Sequence, residues 1–198
     1  MRYFLLIFTI VALFGCGGTG GGAAVAPTPS TDANLAGFNE EQMAGSDATY
    51  VYKAAGDGRL LESGYTVNGK KNGTWMTYHE DNERIQTLAS WVDGQLNGPS
   101  LTFNNRGQIE KKSDYKAGIY DGIVATYKFG RLEKSTPYVA GKMEGTYEEY
   151  NQKGKLLKQI EFKNGVQDGN LKYFDDEGNV TLEYIYKNGE KVSGGIVK

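Results

Sequence analysis

From about residue 50 onward, apolar side chains follow two superimposed periods. Within runs of four to nine residues, rich in Tyr, Val, Ile, Thr and Phe, they alternate with polar ones. The runs themselves return about every 24 residues, punctuated by glycine. Alternation marks a strand, whose successive side chains point to opposite faces. No segment in this part keeps an apolar period of 3.6 residues, so no helix is expected there. The second half of each unit shows the alternation best. Counted from its turn glycine, positions +2, +6 and +8 hold Leu156, Ile160 and Phe162 in one unit, and Val180, Tyr184 and Tyr186 in the next. Positions +3, +5 and +7 are mostly polar, as in Glu110, Lys112 and Asp114. This parity predicts one aromatic and aliphatic face and one wet face.

The glycines give the register. Pairs four apart stand at 69/73, 94/98, 118/122, 141/145 and 165/169, with a degenerate sixth start at Gly189. Start-to-start spacings are 25, 24, 23, 24 and 24. Five residues after the second glycine come Tyr78, Phe103, Tyr127, Tyr150 and Phe174. A turn glycine follows at 107, 130, 154 and 178, and Glu83 takes its place in one unit. Eight residues beyond that position stand Trp91, Tyr115, Tyr138, Phe162 and Tyr186. Gly58, Leu60 and Gly69 preserve the spacing of a worn earlier copy, so the array is expected to begin near residue 48.

Each unit reads as a β-hairpin, with Gly-rich turns such as Gln-Lys-Gly-Lys and Asp-Glu-Gly-Asn. The expected fold is all-β: an elongated, twisted antiparallel β-hairpin repeat array over residues 48–198. One hairpin alone is marginal, so neighbours must stabilise one another. Cross-strand aromatic and aliphatic pairs contribute about 0.2–1 kcal/mol each. Pro137 lacks a ladder N–H and predicts a bulge inside the shortest unit.

The N-terminus reads differently. Met1-Arg2 precedes an apolar run from Tyr3 to Phe14, shorter than the roughly 20 residues a membrane span requires. It ends Leu13-Phe14-Gly15-Cys16, and Cys16 is the only cysteine in the chain. This resembles the lipobox of bacterial lipoproteins. The resemblance implies a signal peptide over 1–15, cleavage before Cys16, and lipid on its thiol and new amino group. It places the protein in the bacterial cell envelope, and Gly17 rather than Asp after the cysteine leans toward the outer membrane. Several acyl chains on one residue anchor stably. Residues 16–47 are expected to form a lipid-anchored tether. Its Gly/Pro/Ser-rich part, residues 17–34, has no large apolar side chain and a disordered reach of about 20–25 Å. Asn39 with Gln42, stopped by Gly45, predicts at most one short helix there.

Charge and chemistry narrow the function. The formal net charge of −2, with signs interleaved, argues against nucleic acid as a partner. The single histidine, His79, adjoins Glu80 and Asp81 in a stretch that reads as a solvated acidic turn. There is no phosphate-cradling loop, no metal-ligand spacing and no nucleophile motif, so no enzyme, metal or cofactor is expected. Two aromatic sets remain, and they read first as mutual packing. The set Trp91, Tyr115, Tyr138, Phe162 and Tyr186 is also the candidate binding surface for an extended peptide or a glycan, since Tyr supplies large rigid contact area. Lys111, Lys134 and Lys158 share position +4 in three successive units and join that surface, as a solvated edge or as contacts for anionic headgroups.

The Gly-x-x-x-Gly, aromatic, glycine and aliphatic register resembles the MORN-repeat variant of bacterial YwqK-type antitoxin proteins, over roughly residues 50–198. The resemblance implies an antiparallel β-meander, with protein scaffolding and membrane association among the functions of such arrays. Three readings follow: a non-enzymatic envelope scaffold with a protein partner, an antitoxin-like inhibitor, and a glycan- or peptidoglycan-binding module.

Overall fold

A computed structural model describes residues 31–197. The expected signal peptide, Cys16 and the tether up to residue 30 lie outside the described residues. The rest forms one open antiparallel sheet of fifteen strands. These are β1 (Asn39–Gln42), β2 (Ala48–Ala54), β3 (Leu60–Val67), β4 (Lys70–Tyr78), β5 (Ile85–Val92), β6 (Gln95–Phe103), β7 (Ile109–Lys116) and β8 (Ile119–Lys128). They continue as β9 (Arg131–Val139), β10 (Lys142–Met143), β11 (Gly145–Tyr150), β12 (Leu156–Lys163), β13 (Val166–Phe174), β14 (Val180–Lys187) and β15 (Glu190–Ile196). Every strand pairs with its sequence neighbours, and β10 and β11 are two pieces of one position, both paired to β9. Among the described residues no second sheet packs on this one. The core is accordingly thin, and Val51, Trp75, Ala125, Phe162 and Leu171 are its buried apolar residues.

One expectation is corrected at the start of the array. Residues 39–42 form a strand, not a helix, and Glu40 pairs with Val51. Asn39 and Gln42 supply capping chemistry, but this segment has no apolar stripe for a helix to bury. The sheet beside it offers a ladder instead, so the part of the tether expectation covering 39–42 gives way to ordered sheet.

The two turn edges explain the spacings. Along one edge, two-residue loops such as Asn68-Gly69 and Asp93-Gly94 have positive φ at both residues, 51° and 74° in the first case. These are type I′ turns, which match the twist of the flanking strands. The second residue of each later turn donates its N–H back to the preceding hairpin. Gly94 binds Lys71 O at 2.9 Å, and Gly118, Gly141, Gly165 and Gly189 bind Leu96, Tyr120, Met143 and Gln167 carbonyls at 2.8 Å. These latches give the first glycine of each pair its place.

Along the other edge, Asn104, Asn151 and Asp175 each accept two backbone N–H bonds across a turn, for example Lys153 N–H at 2.8 Å and Lys155 N–H at 3.0 Å on Asn151 Oδ1. The loop between β4 and β5 is one residue longer than these, and the Phe129-Gly130 turn one shorter. They produce the spacings of 25 and 23. Glu83 holds the left-handed conformation its glycine counterparts hold, at φ 59°.

Each hairpin also carries two irregularities, and they correct the single aromatic face. Near the second edge, one extra residue enters the returning strand: Gln86, Glu110, Glu133, Leu157 and Thr181. Each is a β-bulge, which reverses the side on which the following residues lie. Tyr150 therefore pairs with Leu156 on one face, here the back, while Glu149 pairs with Lys158 on the other, the front. Position +2 joins the Tyr78, Phe103, Tyr127, Tyr150 and Phe174 row on the back. Positions +4, +6 and +8 lie on the front.

The second irregularity lies beside the type I′ turns: Gly64, Ser90, Asp114 and Glu161 are skipped singly, Thr136 and Pro137 together in β9, and in the last hairpin the extra residue is Val192 of the returning strand. Where a carboxylate stands there, it caps the freed partner strand: Asp114 Oδ2 accepts Ile123 N–H at 3.2 Å and Glu161 Oε2 accepts Asn170 N–H at 2.9 Å. Pro137 occupies this skipped position, so β9 stays continuous and the break falls in its partner, between β10 and β11. The irregularity expected at Pro137 is present in its pairing with the next strand, where Tyr138 faces Met143 and Ser135 faces Glu148, while the ladder to β8 runs unbroken through Ile123 and Pro137.

Candidate functional site

The front face beside the latched edge carries the candidate surface. Trp91, Tyr115, Tyr138, Phe162 and Tyr186 all lie there, one per unit, two strands apart. At about 4.8 Å per strand, the row extends about 38 Å from Trp91 to Tyr186. Between them stand residues that sequence reading did not single out. Leu96, Tyr120, Met143, Gln167 and Lys191 pair with them directly across the type I′ hairpins. They follow the first glycine of each pair by two, a position visible in the register but chemically varied.

The ridge is continuous at its centre. The Tyr115 and Tyr120 ring centroids are 4.8 Å apart, and those of Tyr120 and Tyr138 are 5.1 Å apart, all tilted. Such pairs add about 0.5–1.5 kcal/mol beyond their burial. Tyr115, Tyr120 and Tyr138 stay partly exposed, whereas Phe162 is 8% exposed and serves packing.

The lysine row runs parallel to the ridge. Ladder order across the front face is Lys111, Thr126, Lys134, Glu149, Lys158, Tyr173. The three lysines are therefore brought onto the same face as the aromatics, and their charges are partly answered. Lys111 Nζ donates to Tyr120 Oη at 3.0 Å, Lys158 lies 5.3 Å from the Tyr173 ring, and Glu149 stands between Lys134 and Lys158.

These contacts tune the phenols. Burial, then the hydrogen bond shared with Tyr120, pushes Tyr115 well above the usual phenol range. Burial also opposes ionisation of Tyr120, but hydrogen bonds from Tyr115 and Lys111 outweigh it and hold this phenol below its ordinary value. Burial, and the bond to Glu149 at 3.0 Å, raises Tyr147.

At its N-terminal end the front face is crossed by residues 31–38. Ala33 donates to Gly69 O at 2.8 Å, and the Phe38 ring lies 6.1 Å from that of Trp75. Beneath this strap, Lys71 Nζ lies 3.8 Å from the Trp75 ring centroid, 5.2 Å from that of Trp91, and 3.1 Å from Glu62 Oε1. A cavity of about 310 Å³ opens between strap and sheet. A second concavity, about 320 Å³, sits where the shortened Phe129-Gly130 turn leaves a notch beside the Asn151–Lys155 turn, floored by Leu132, Tyr150 and Leu157.

His79 offers a ring nitrogen to Phe103 O at 2.9 Å, which ties two successive turns together. Among the described residues, no three His, Cys, Asp or Glu side chains converge on a metal-sized site, and no helix is long and apolar enough to cross a membrane. The front face offers an extended contact surface.

Residues 143–164 and 167–188 each match the family model of the MORN repeat variant. These two segments are successive units of the sheet. No curated protein matches the chain. Among solved structures, similarity is recorded to a point mutant of S. aureus TarM in complex with fondaparinux, alpha-GlcNAc-glycerol and UDP. The identity is 13% and the TM-score 0.36, over 56% of this chain and 21% of that one. A second TarM structure is 9% identical with a TM-score of 0.29, over 81% of this chain and 22% of that one. The chain thus spans about a fifth of the length of either protein.

Proposed function

We propose that this chain is a non-enzymatic lipoprotein of the bacterial envelope whose repeat sheet binds a protein partner and so acts as a scaffold. MORN repeats point to a repeat-based binding module, and two successive units match them. The observation that carries the reading is the front-face ridge at Tyr115, Tyr120 and Tyr138: contiguous, partly exposed aromatics in rigid strands. Tyrosine anchors of this kind give large contact area at low entropic cost. The lipobox-like Leu13-Phe14-Gly15-Cys16 supports anchoring through Cys16.

Site-specific photo-crosslinking tests the surface. A photoreactive residue at Tyr120 or Tyr138 should capture a discrete protein in intact cells, whereas one at the back-face residue Leu101 should not. Equal labelling from both faces, or none, would refute a front-face partner. If the captured protein is a toxin whose activity the chain suppresses, the antitoxin-like form of the reading prevails. Cys16→Ser tests the anchor separately: the protein should leave the membrane fraction.

A further inference from the structure

We propose that the cavity between the strap and the front face is a binding site for a neutral pyranose sugar. Its walls are Asp32 and Asn34 from the strap, and Glu62, Lys71, Trp91 and Gly94 from the sheet. At about 310 Å³, it lies at the small end of ligand sites, which run from about 300 to 1,000 Å³. That is room for a ring or two, not for a folded partner.

The lining fits a sugar in both halves of its chemistry. A pyranose has an apolar C–H face and a rim of hydroxyls. Trp91 supplies an aromatic wall, with the Lys71 ammonium 5.2 Å from its ring centroid. The other indole, Trp75, is 3% exposed and its Nε1–H already donates to Tyr65 O at 2.8 Å, whereas Trp91 remains partly open. The hydroxyl rim needs both donors and acceptors. Asp32 and Glu62 accept. Asn34 Oδ1 takes the Ala36 N–H at 3.2 Å, which leaves its amide N–H groups to donate.

Charge selects against other small ligands. Two carboxylates and one ammonium leave the lining at a net −1, and the ammonium of Lys71 is already paired with Glu62 at 3.1 Å. A phosphate or nucleotide would meet an unfavourable field, and a neutral polyol would not. The strap closes one side of the cavity, so the site exists only while residues 31–34 are seated.

This site and the protein-binding tyrosines use different residues, so one can fail without the other. Titration calorimetry of the full chain in detergent tests it, with chitotriose, maltotriose and cellotriose as probes. At least one should bind saturably, with a change in tryptophan fluorescence. Trp91→Phe keeps the packing but shrinks the stacking wall, and Asp32→Ala alters only an exposed strap residue. Each should weaken binding by about tenfold, the equivalent of about 1.4 kcal/mol. Gly56→Ala, with nothing within 4 Å of the added carbon, should leave sugar affinity unchanged. No saturable binding of any probe, or wild-type affinity in both Trp91→Phe and Asp32→Ala, would overturn the proposal.

Discussion

The indole of Trp75 occupies the space that a side chain on Gly64 would need. A Cβ there would fall well inside contact with the ring atoms, and Gly64 is itself buried. The two residues lie on adjacent strands, β4 and β3, and the ring lies over the glycine backbone. Gly64→Ala must push the ring out or the strands apart. We expect a loss of about 1–3 kcal/mol, the usual cost of overpacking. Gly56→Ala, where nothing approaches within 4 Å, should be near neutral. Urea unfolding of the two variants makes the comparison, and equal midpoints would show that the Trp75 seat is soft.

Four turn residues other than Gly, Asn and Asp sit in left-handed backbone conformation, Glu83, Ala117, Phe129 and Ala140, and three of them give a test. Glu83 has φ 59°, and Ala117 and Ala140 both have φ 48°. An L-residue there costs roughly 1–2 kcal/mol, which Gly avoids and Asn partly avoids. Glu83→Gly, Ala117→Asn and Ala140→Asn should each raise stability, by about 0.5–1 kcal/mol. The readout is the denaturation midpoint, and a fall at any of the three would mean that the side chain contributes more than its backbone strain costs.

Gly169 combines two constraints. Its φ is 122°, and a Cβ on it would stand 2.8 Å from Glu161 Cβ. Glu161 cannot withdraw without uncapping Asn170 N–H. Gly154 has φ 80° and open space around it. Alanine at 169 should therefore destabilise the sheet by about 2 kcal/mol or more, and alanine at 154 by about 1 kcal/mol. Melting temperatures in that order check the assignment.

Acid should act on the last turn before β14. Backbone and side-chain hydrogen bonds from Asn179 hold the Asp175 carboxyl below the usual carboxylate range. A depressed pKa means stability that is present above the unfolded value, about 3.9, and lost as pH falls through the folded one. Asn104 and Asn151 fill the same position with a neutral oxygen. Asp175→Asn should thus match the wild type near neutrality and lose less melting temperature below about pH 4. Identical acid profiles would remove Asp175 from the account.

Much of this fold was legible because its turns announce themselves. The paired glycines marked one hairpin edge and the glycines at 107, 130, 154 and 178 the other, and even the spacings of 25 and 23 map onto loops one residue longer and one shorter. The faces were less legible. A bulge adds a residue without changing composition, so simple parity placed Leu156 with Phe162, and the ladder placed it with Tyr150. Tyr120 was missed because its counterparts are Lys71, Leu96, Met143, Gln167 and Lys191, which share a place but no chemistry. At Asn39–Gln42, local capping signals lost to the open edge of β2, a partner no local window contains.

The latches at Gly94, Gly118, Gly141, Gly165 and Gly189 each reach back about one unit and no further. Nothing in the sheet therefore refers to its total length. A unit gained by duplication would find the same carbonyl waiting, and a unit lost would leave its neighbours able to close over the gap. Each such event would lengthen or shorten the front ridge by one rung. Reach becomes a quantity that evolution, or an engineer, can change in whole steps while the chemistry of every rung stays as it was.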